Sequence, residues 1–230
     1  MKLSKVQLES NLKGLCDQHD IVYSELLSDL DVDDAFELSI YSLQAICEEY
    51  NLDLYALLFK TINRPKNWQT KLDNIKLLIL DVDGVMTDGG MYQTESGDQF
   101  KKFNTKDGMA IIHLTKSDFQ VAIISSGFKG NAVQERAKLL GIQHCSVSRK
   151  PKLDTLKEIC QELEISLDQV AMIGDDINDL TVIREIGFSA CPSDAVQAVK
   201  SEVDLILTQG GGQGCVREFI DSYLLKQAIG

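Results

Sequence analysis

No apolar run in the 230 residues approaches the length of a membrane-spanning helix, and the first residues hold no apolar core of the signal-peptide kind. Such a chain is expected in the cytoplasm. Positive charge is scarce as well: 23 Lys and Arg stand against 35 Asp and Glu, a formal net charge of −12. That balance disfavours nonspecific binding to nucleic acid, and an anionic substrate then needs a local cation to approach. The six cysteines form no C-x-x-C pair and no zinc-type spacing, so they read as buried free thiols in a reducing compartment. The three histidines, His19, His113 and His144, sit in no catalytic motif. Repeats and low-complexity segments are missing too. What is there, 44% hydrophobic and 25% charged residues, suffices for a core and argues against wholesale disorder. The length fits one α/β domain, or a smaller one with an appendage.

Residues 1–62 read as that appendage, an all-helical domain. Val6, Leu8, Leu12 and Leu15 recur at helical spacing, and Tyr23–Leu30 and Leu43–Tyr50 continue the pattern. Ser39 or Ser42 would cap the third helix, Asn51 suits its end, and Leu52–Phe59 makes a further short helix. In apolar spacing, Leu43 to Phe59 is similar to the closing helices of the lambda-repressor-type helix-turn-helix domain. Charge opposes a DNA-binding role. Residues 1–60 carry four Lys and Arg against twelve Asp and Glu, and carboxylates crowd Asp29–Glu37, where a recognition helix would meet the groove. An interaction or oligomerisation role is the better expectation. Residues 63–74, with Pro65 as a helix breaker and Trp68 as an anchor to the next domain, read as a linker.

From residue 75 to residue 230, apolar strands and amphipathic helices alternate, the pattern of a doubly wound, Rossmann-like parallel sheet. Strands are expected at 77–81, 120–125, 142–147, 170–174, 188–190 and 203–207. Helices are expected at 108–117 with Asp107 as cap, at 131–140, at 153–163 and from Val216 to about Leu225. Gly90–Phe103, with its Glu-Ser-Gly-Asp turn, reads as a hairpin.

The stretch Lys76-Leu-Leu-Ile-Leu-Asp-Val-Asp-Gly-Val-Met-Thr-Asp-Gly89 organises this second part. Its apolar run ends in Asp81 and Asp83, which share one side of the strand end because side chains alternate with period two. Two more apolar strands end in polar residues: the second in Ser125, the third in Asp175, Asp176 and Asp179. Lys152 opens the helix before the third, with Lys150 as its rival. The carboxyl ends of parallel strands converge on one crevice, the expected binding site.

That ordered set, Asp-x-Asp-Gly, a Ser after a strand, a Lys before a helix and Gly-Asp-Asp-x-x-Asp, resembles the four motifs of the haloacid dehalogenase superfamily over residues 75–225. The resemblance implies a phosphatase with Asp81 as nucleophile and Asp83 as general acid and base. It implies a Mg2+ ion held by the Asp81 carboxylate, the Asp83 carbonyl and the Asp175 carboxylate, with Asp176 and Asp179 in support. Ser125, Lys152 and the N–H groups of Gly84 and Val85 would neutralise the phosphoryl oxygens, with Ser126 and Gly127 bordering them.

The segments between the motifs hold a hairpin and single helices, too short for a cap domain. Asp81–Gly89, Phe103–Gly108, Gly174–Leu180 and Gly211–Glu218 are similar to a capless branch, the 3-deoxy-manno-octulosonate 8-phosphate phosphatases and their relatives acting on nonulosonic acid 9-phosphates. By resemblance the substrate is a phosphorylated acidic sugar of cell-surface polysaccharide synthesis, lipopolysaccharide included. Thr87, Lys106 and Arg217 become candidates for its sugar and carboxylate. The same branch implies a homotetramer, with each hairpin bordering a neighbour's site. One departure stands out: octulosonate phosphatases place Gly-Arg after the strand-end residue, whereas this chain has Ser125-Ser-Gly-Phe-Lys129. Lysine does not replace arginine for bidentate carboxylate recognition, which keeps the nine-carbon acids open. A DNA-binding or partner-regulating protein that uses the domain as a sensor is the alternative.

Overall fold

The computed structural model describes residues 4–50, 52, 54–59, 66–117, 119–127 and 130–225. The chain divides into two compact units, residues 1–69 and 70–230. In the first unit, helices α1 (Lys5–Gln18), α2 (Tyr23–Asp29), α3 (Ile40–Glu49) and α4 (Leu54–Phe59) enclose a core of Leu8, Leu12, Leu15, Leu43, Ile46 and Leu57. Ser4 caps α1, accepting the Gln7 N–H, and Ser39 rather than Ser42 caps α3. Buried Asn11 on α1 donates Nδ2 to the Leu57 carbonyl at 2.7 Å, tying α1 to α4 through a backbone acceptor at a helix end. Asp29–Glu37 forms mostly turns, with a single 3-10 turn at Ala35–Glu37 whose cap is Asp34. Asn51, the expected end of α3, lies outside the described residues.

The linker expected over 63–74 is helical from Lys66 to Asn74 (α5), and residues 63–65 lie outside the described ones. A proline just ahead of a helix is no breaker, since the first turn lacks N–H partners in any case. Trp68, Leu72 and Ile75, all buried, recur at helical spacing.

The second unit is an α/β sandwich. In chain order its elements are β1 (Leu77–Leu80), the hairpin β2 (Tyr92–Gln93) and β3 (Gln99–Phe100), α6 (Thr105–Lys116), β4 (Gln120–Ser126), α7 (Asn131–Leu139), β5 (His144–Ser148) and α8 (Lys152–Glu162). Then follow β6 (Val170–Ile173), α9 (Leu180–Ile183), β7 (Phe188–Cys191), α10 (Gln197–Lys200), β8 (Leu205–Ile206) and α11 (Cys215–Phe219). The six-stranded sheet has the order β5-β4-β1-β6-β7-β8, all parallel, so β1 lies centrally with β4 and β6 on its flanks. Leu77, Ile79, Ala122, Ile124, Val170 and Met172 point to one face and pack on Leu156, Ile159 and Cys160 of α8. Alternation sends Leu78, Leu80, Val121 and Ile123, equally buried, to the other face. Burial on both faces is why these strands read as unbroken apolar runs.

One expectation changes here. Asn104, not Asp107, caps α6, accepting from the N–H groups of Lys106 and Asp107. Asp107 instead points inward and accepts the Arg217 N–H at 2.7 Å, serving the start of α11. The last helix has the expected extent, α11 continuing past Phe219 as a wider π-helical segment from Ile220 to Leu224.

Candidate active site

Asp81 follows β1 directly and is only 5% exposed. Its Oδ1 accepts the Val82 N–H at 2.7 Å, and the turn closes where the Thr87 N–H meets the Val82 carbonyl. Gly84 has φ +86°, and a Cβ there would lie 2.0 Å from Asp175 Oδ2. Only glycine suits this point, on both conformational and steric grounds.

Lys152 heads α8 with its side chain 2% exposed. Its Nζ lies 2.9 Å from Asp81 Oδ2 and 2.6 Å from Asp179 Oδ1, so one buried ammonium bridges two buried carboxylates. Lys150 is 39% exposed and pairs with Glu158, outside the cluster. Asp179 uses its other oxygen on the N–H groups of Asp175 and Asp176. Its hydrogen-bonding capacity is therefore largely taken. Asp176 is exposed and caps the following turn through the Ile177 N–H.

The balance of charge is the telling feature. Carboxylate oxygens of Asp81, Asp175 and Asp179 lie within 4.8 Å of one another. Burial and the Asp179 charge push Asp81 up to about 6, against the opposing pull of Lys152. Burial and the neighbouring carboxylates, Asp81 first, push Asp175 up to about 8. Burial works to lower Lys152, but the Asp81 and Asp179 charges prevail and hold it above its usual value. Asp175 Oδ1 is buried and has no hydrogen-bond partner. An oxygen-rich, under-neutralised pocket with a free carboxylate oxygen fits a hard divalent cation.

A cleft of about 570 Å³ opens beside this cluster, lined by Asp83, Ser125, Ser126, Gly127, hairpin residues and Lys101. Ser125 ends the buried part of β4 and is 4% exposed. The expected substrate contacts fare differently. Thr87 is 1% exposed; its Oγ1 donates to the Val82 carbonyl and also lies 3.5 Å from Asp83 Oδ1, so its hydroxyl braces the turn that carries Asp83. Arg217 pairs with Asp221 on the same turn of chain, and neither Arg217 nor the exposed Lys106 lines the cleft. Val85 is buried and its carbonyl accepts the Gly212 N–H, fastening the glycine-rich loop to the Asp81 turn. Phe128 and Lys129 lie outside the described residues.

Four residues around the cleft, Asp88, Tyr92, Lys101 and Lys102, were not singled out in the sequence. Lys101 Nζ meets Asp83 Oδ1 at 2.5 Å, and Asp88 Oδ2 accepts from Tyr92 Oη and from Lys102 Nζ. Both lysines directly follow β3. The adjacent Lys-Lys pair after the hairpin was the available signal, but only the fold reveals that Lys101 meets Asp83 and Lys102 meets Asp88.

A central parallel strand that delivers a carboxylate to a buried lysine, beneath a cleft at the strands' carboxyl ends, defines a phosphate-handling α/β hydrolase. The haloacid dehalogenase-like hydrolase model matches residues 105–187. The 3-deoxy-D-manno-octulosonate 8-phosphate phosphatase of Escherichia coli K12 is 40% identical over 157 residues, 68% of this chain and 83% of that protein. Among solved structures, that of the phosphatase of the same name from Yersinia pestis superposes with TM-score 0.66 at 38% identity, covering 68% of this chain and 84% of the other. The Moraxella catarrhalis phosphatase, solved with magnesium, phosphate and KDO, gives TM-score 0.66 at 34% identity over 70% of this chain and 92% of the other. The chain belongs to the haloacid dehalogenase-like hydrolases and is a phosphatase.

Proposed function

We propose that this phosphatase releases inorganic phosphate from a phosphorylated acidic sugar, with 3-deoxy-D-manno-octulosonate 8-phosphate as the leading substrate. The observation that carries the chemistry is Lys152 Nζ held 2.9 Å from Asp81 Oδ2 in a buried site. The substrate comes from the relatives, whose names specify it.

The Asp81 carboxylate attacks phosphorus while the sugar oxygen leaves with the Asp83 proton, giving an aspartyl-phosphate and a free alcohol. A water then gives its proton back to Asp83 and its oxygen to phosphorus, which frees Asp81 and phosphate. Lys152 and Ser125 stand ready to neutralise the phosphoryl oxygens. Asp83 is suited to proton transfer because it lies open to the cleft, with a side chain 48% exposed, whereas Asp81 is sealed beside Lys152. Asp81 and Asp175, with the Asp83 carbonyl, would hold Mg2+, which supplies positive charge against the phosphoryl group. Asp179, already engaged on both oxygens, positions Lys152.

Nonulosonic acid 9-phosphates are the second reading, favoured by the absence of Gly-Arg after Ser125. The exposed Met91 and Phe100 of the hairpin support a homotetramer in which a neighbour covers each site. Residues 1–62 act as an interaction or oligomerisation domain, and the place of work is the cytoplasm; no helix among the described residues is long and apolar enough to cross a membrane. The test is phosphate release from octulosonate 8-phosphate, nonulosonate 9-phosphates and neutral hexose phosphates, with and without Mg2+. Preference for one acidic sugar with a strict metal requirement is expected. Flat activity across the panel would remove the substrate assignment, and undiminished activity after chelation would remove the metal.

A further inference from the structure

The site has two lysines at two ends. Lys152 lies buried against Asp81, where the phosphoryl group is transferred. Lys101 lies on the far side of Asp83, reached from the hairpin, with Nζ 2.5 Å from Asp83 Oδ1. Asp83 faces the leaving oxygen in the proposed reaction, so a group beside it meets the sugar and not the phosphate. Lys101 and Asp83 are the only charged residues lining the cleft among the described residues, and the other lining groups are glycines, uncharged polar residues and apolar ones. Its side chain is 26% exposed, turned inward, whereas that of Lys102 is 69% exposed and turned to Asp88. The Asp81, Asp175 and Asp179 carboxylates beside the cleft repel an acidic sugar unless a cation meets it, and among the described lining residues Lys101 is the side chain able to do so.

We infer that Lys101 is the specificity residue for the leaving group: it pairs with Asp83 in the empty site and with the anionic group of the sugar in the filled one. This deepens the proposed function and rests on the reading that the substrate is an acidic sugar phosphate. A lysine suits the exchange, because its flexible stem and single point charge reach either partner without bidentate geometry. The residue after the hairpin thus supplies a cation in a chain that has no Gly-Arg after its strand-end Ser125. The chemical class selected is a sugar bearing a carboxylate on the side of the phosphate ester's leaving oxygen.

The test compares the full-length wild type with Lys101→Met, Lys101→Arg and Lys102→Met, using octulosonate 8-phosphate and glucose 6-phosphate. The readout is the ratio of kcat/KM for the acidic to the neutral sugar. Lys101→Met is expected to cut that ratio tenfold or more, mainly through KM for the acidic sugar. Lys101→Arg should recover at least a third of the wild-type ratio, and Lys102→Met should hold it within twofold. A wild type that prefers glucose 6-phosphate overturns the acidic-sugar reading itself, and Lys101's role with it. A wild type that prefers the acid, with Lys101→Met keeping the ratio within twofold, overturns only the role of Lys101. An equal loss in Lys102→Met also overturns it, because the effect would then belong to hairpin docking.

Discussion

Both units are rich in carboxylates and handle them in opposite ways. In the helical unit they lie at the surface: Asp31, Asp33 and Glu37 are exposed, and half-exposed Asp34 pairs with exposed Lys5. Water solvates them, so a net excess of negative charge there costs little structure. At the carboxyl edge of the sheet, Asp81, Asp175 and Asp179 are buried or nearly so around a single ammonium. Burial forces charges to interact and shifts their proton affinities, the usual mark of a functional site. Acidic composition alone does not locate a site; where the acid is kept from water decides what it does.

The largest test of that contrast is Asp81→Asn. Turnover is expected to vanish, while the melting temperature holds or rises, since the cluster carries more carboxylates than ammonium groups. Residual activity within tenfold of wild type would take the nucleophile role from Asp81.

Lys152→Met acts from the opposite side. It removes the one cation and leaves Asp81 and Asp179 facing each other in a dry site, so thermal or denaturant unfolding should show a loss of about 3–5 kcal/mol together with lost activity. An unchanged midpoint would mean that the pair is neutral in the folded protein.

Asp107→Asn is a smaller and sharper test, because Asp107 is buried against backbone N–H groups rather than a lysine. Burial raises its proton affinity above the usual 3.8, so the folded state binds the proton more tightly than the unfolded chain. Its ionisation therefore costs nothing below that value, and the cost grows as pH rises through the raised one. The Asn variant lacks this term, so its melting temperature should gain on wild type as pH rises from about 4 to 8. A constant difference across that range would show that Asp107 is not shifted.

The smallest effect is expected at the surface of the helical unit. Asp33→Asn should leave both the melting temperature and kcat/KM unmoved within error, and a measurable loss of activity would give that acidic surface a part in catalysis.

The sheet was legible residue by residue, because strands buried on both faces must be apolar throughout. Leu77–Leu80, Val121–Ile124 and Val170–Ile173 announce themselves for that reason. The helix from Lys66 was not legible, since Pro65 reads as a breaker until the turn that follows it is seen. Thr87, Arg217 and Lys106 had the right chemistry for a sugar, yet Thr87 closes its own turn and Arg217 pairs with Asp221. Lys101 shows the converse. Nothing local distinguishes it from Lys102, and only the hairpin's fold turns one lysine toward Asp83 and the other toward Asp88.

By itself the amino-acid sequence determined the parallel α/β architecture and the family, because local periodicity and the spacing of Asp81, Asp83, Ser125, Lys152 and Asp175 are properties of short stretches. Tertiary structure alone decided which lysine serves the Asp81 end and which reaches Asp83. Those pairings join residues as far apart as Asp81 and Lys152, and burial and distance set their energies, neither of which a linear pattern contains.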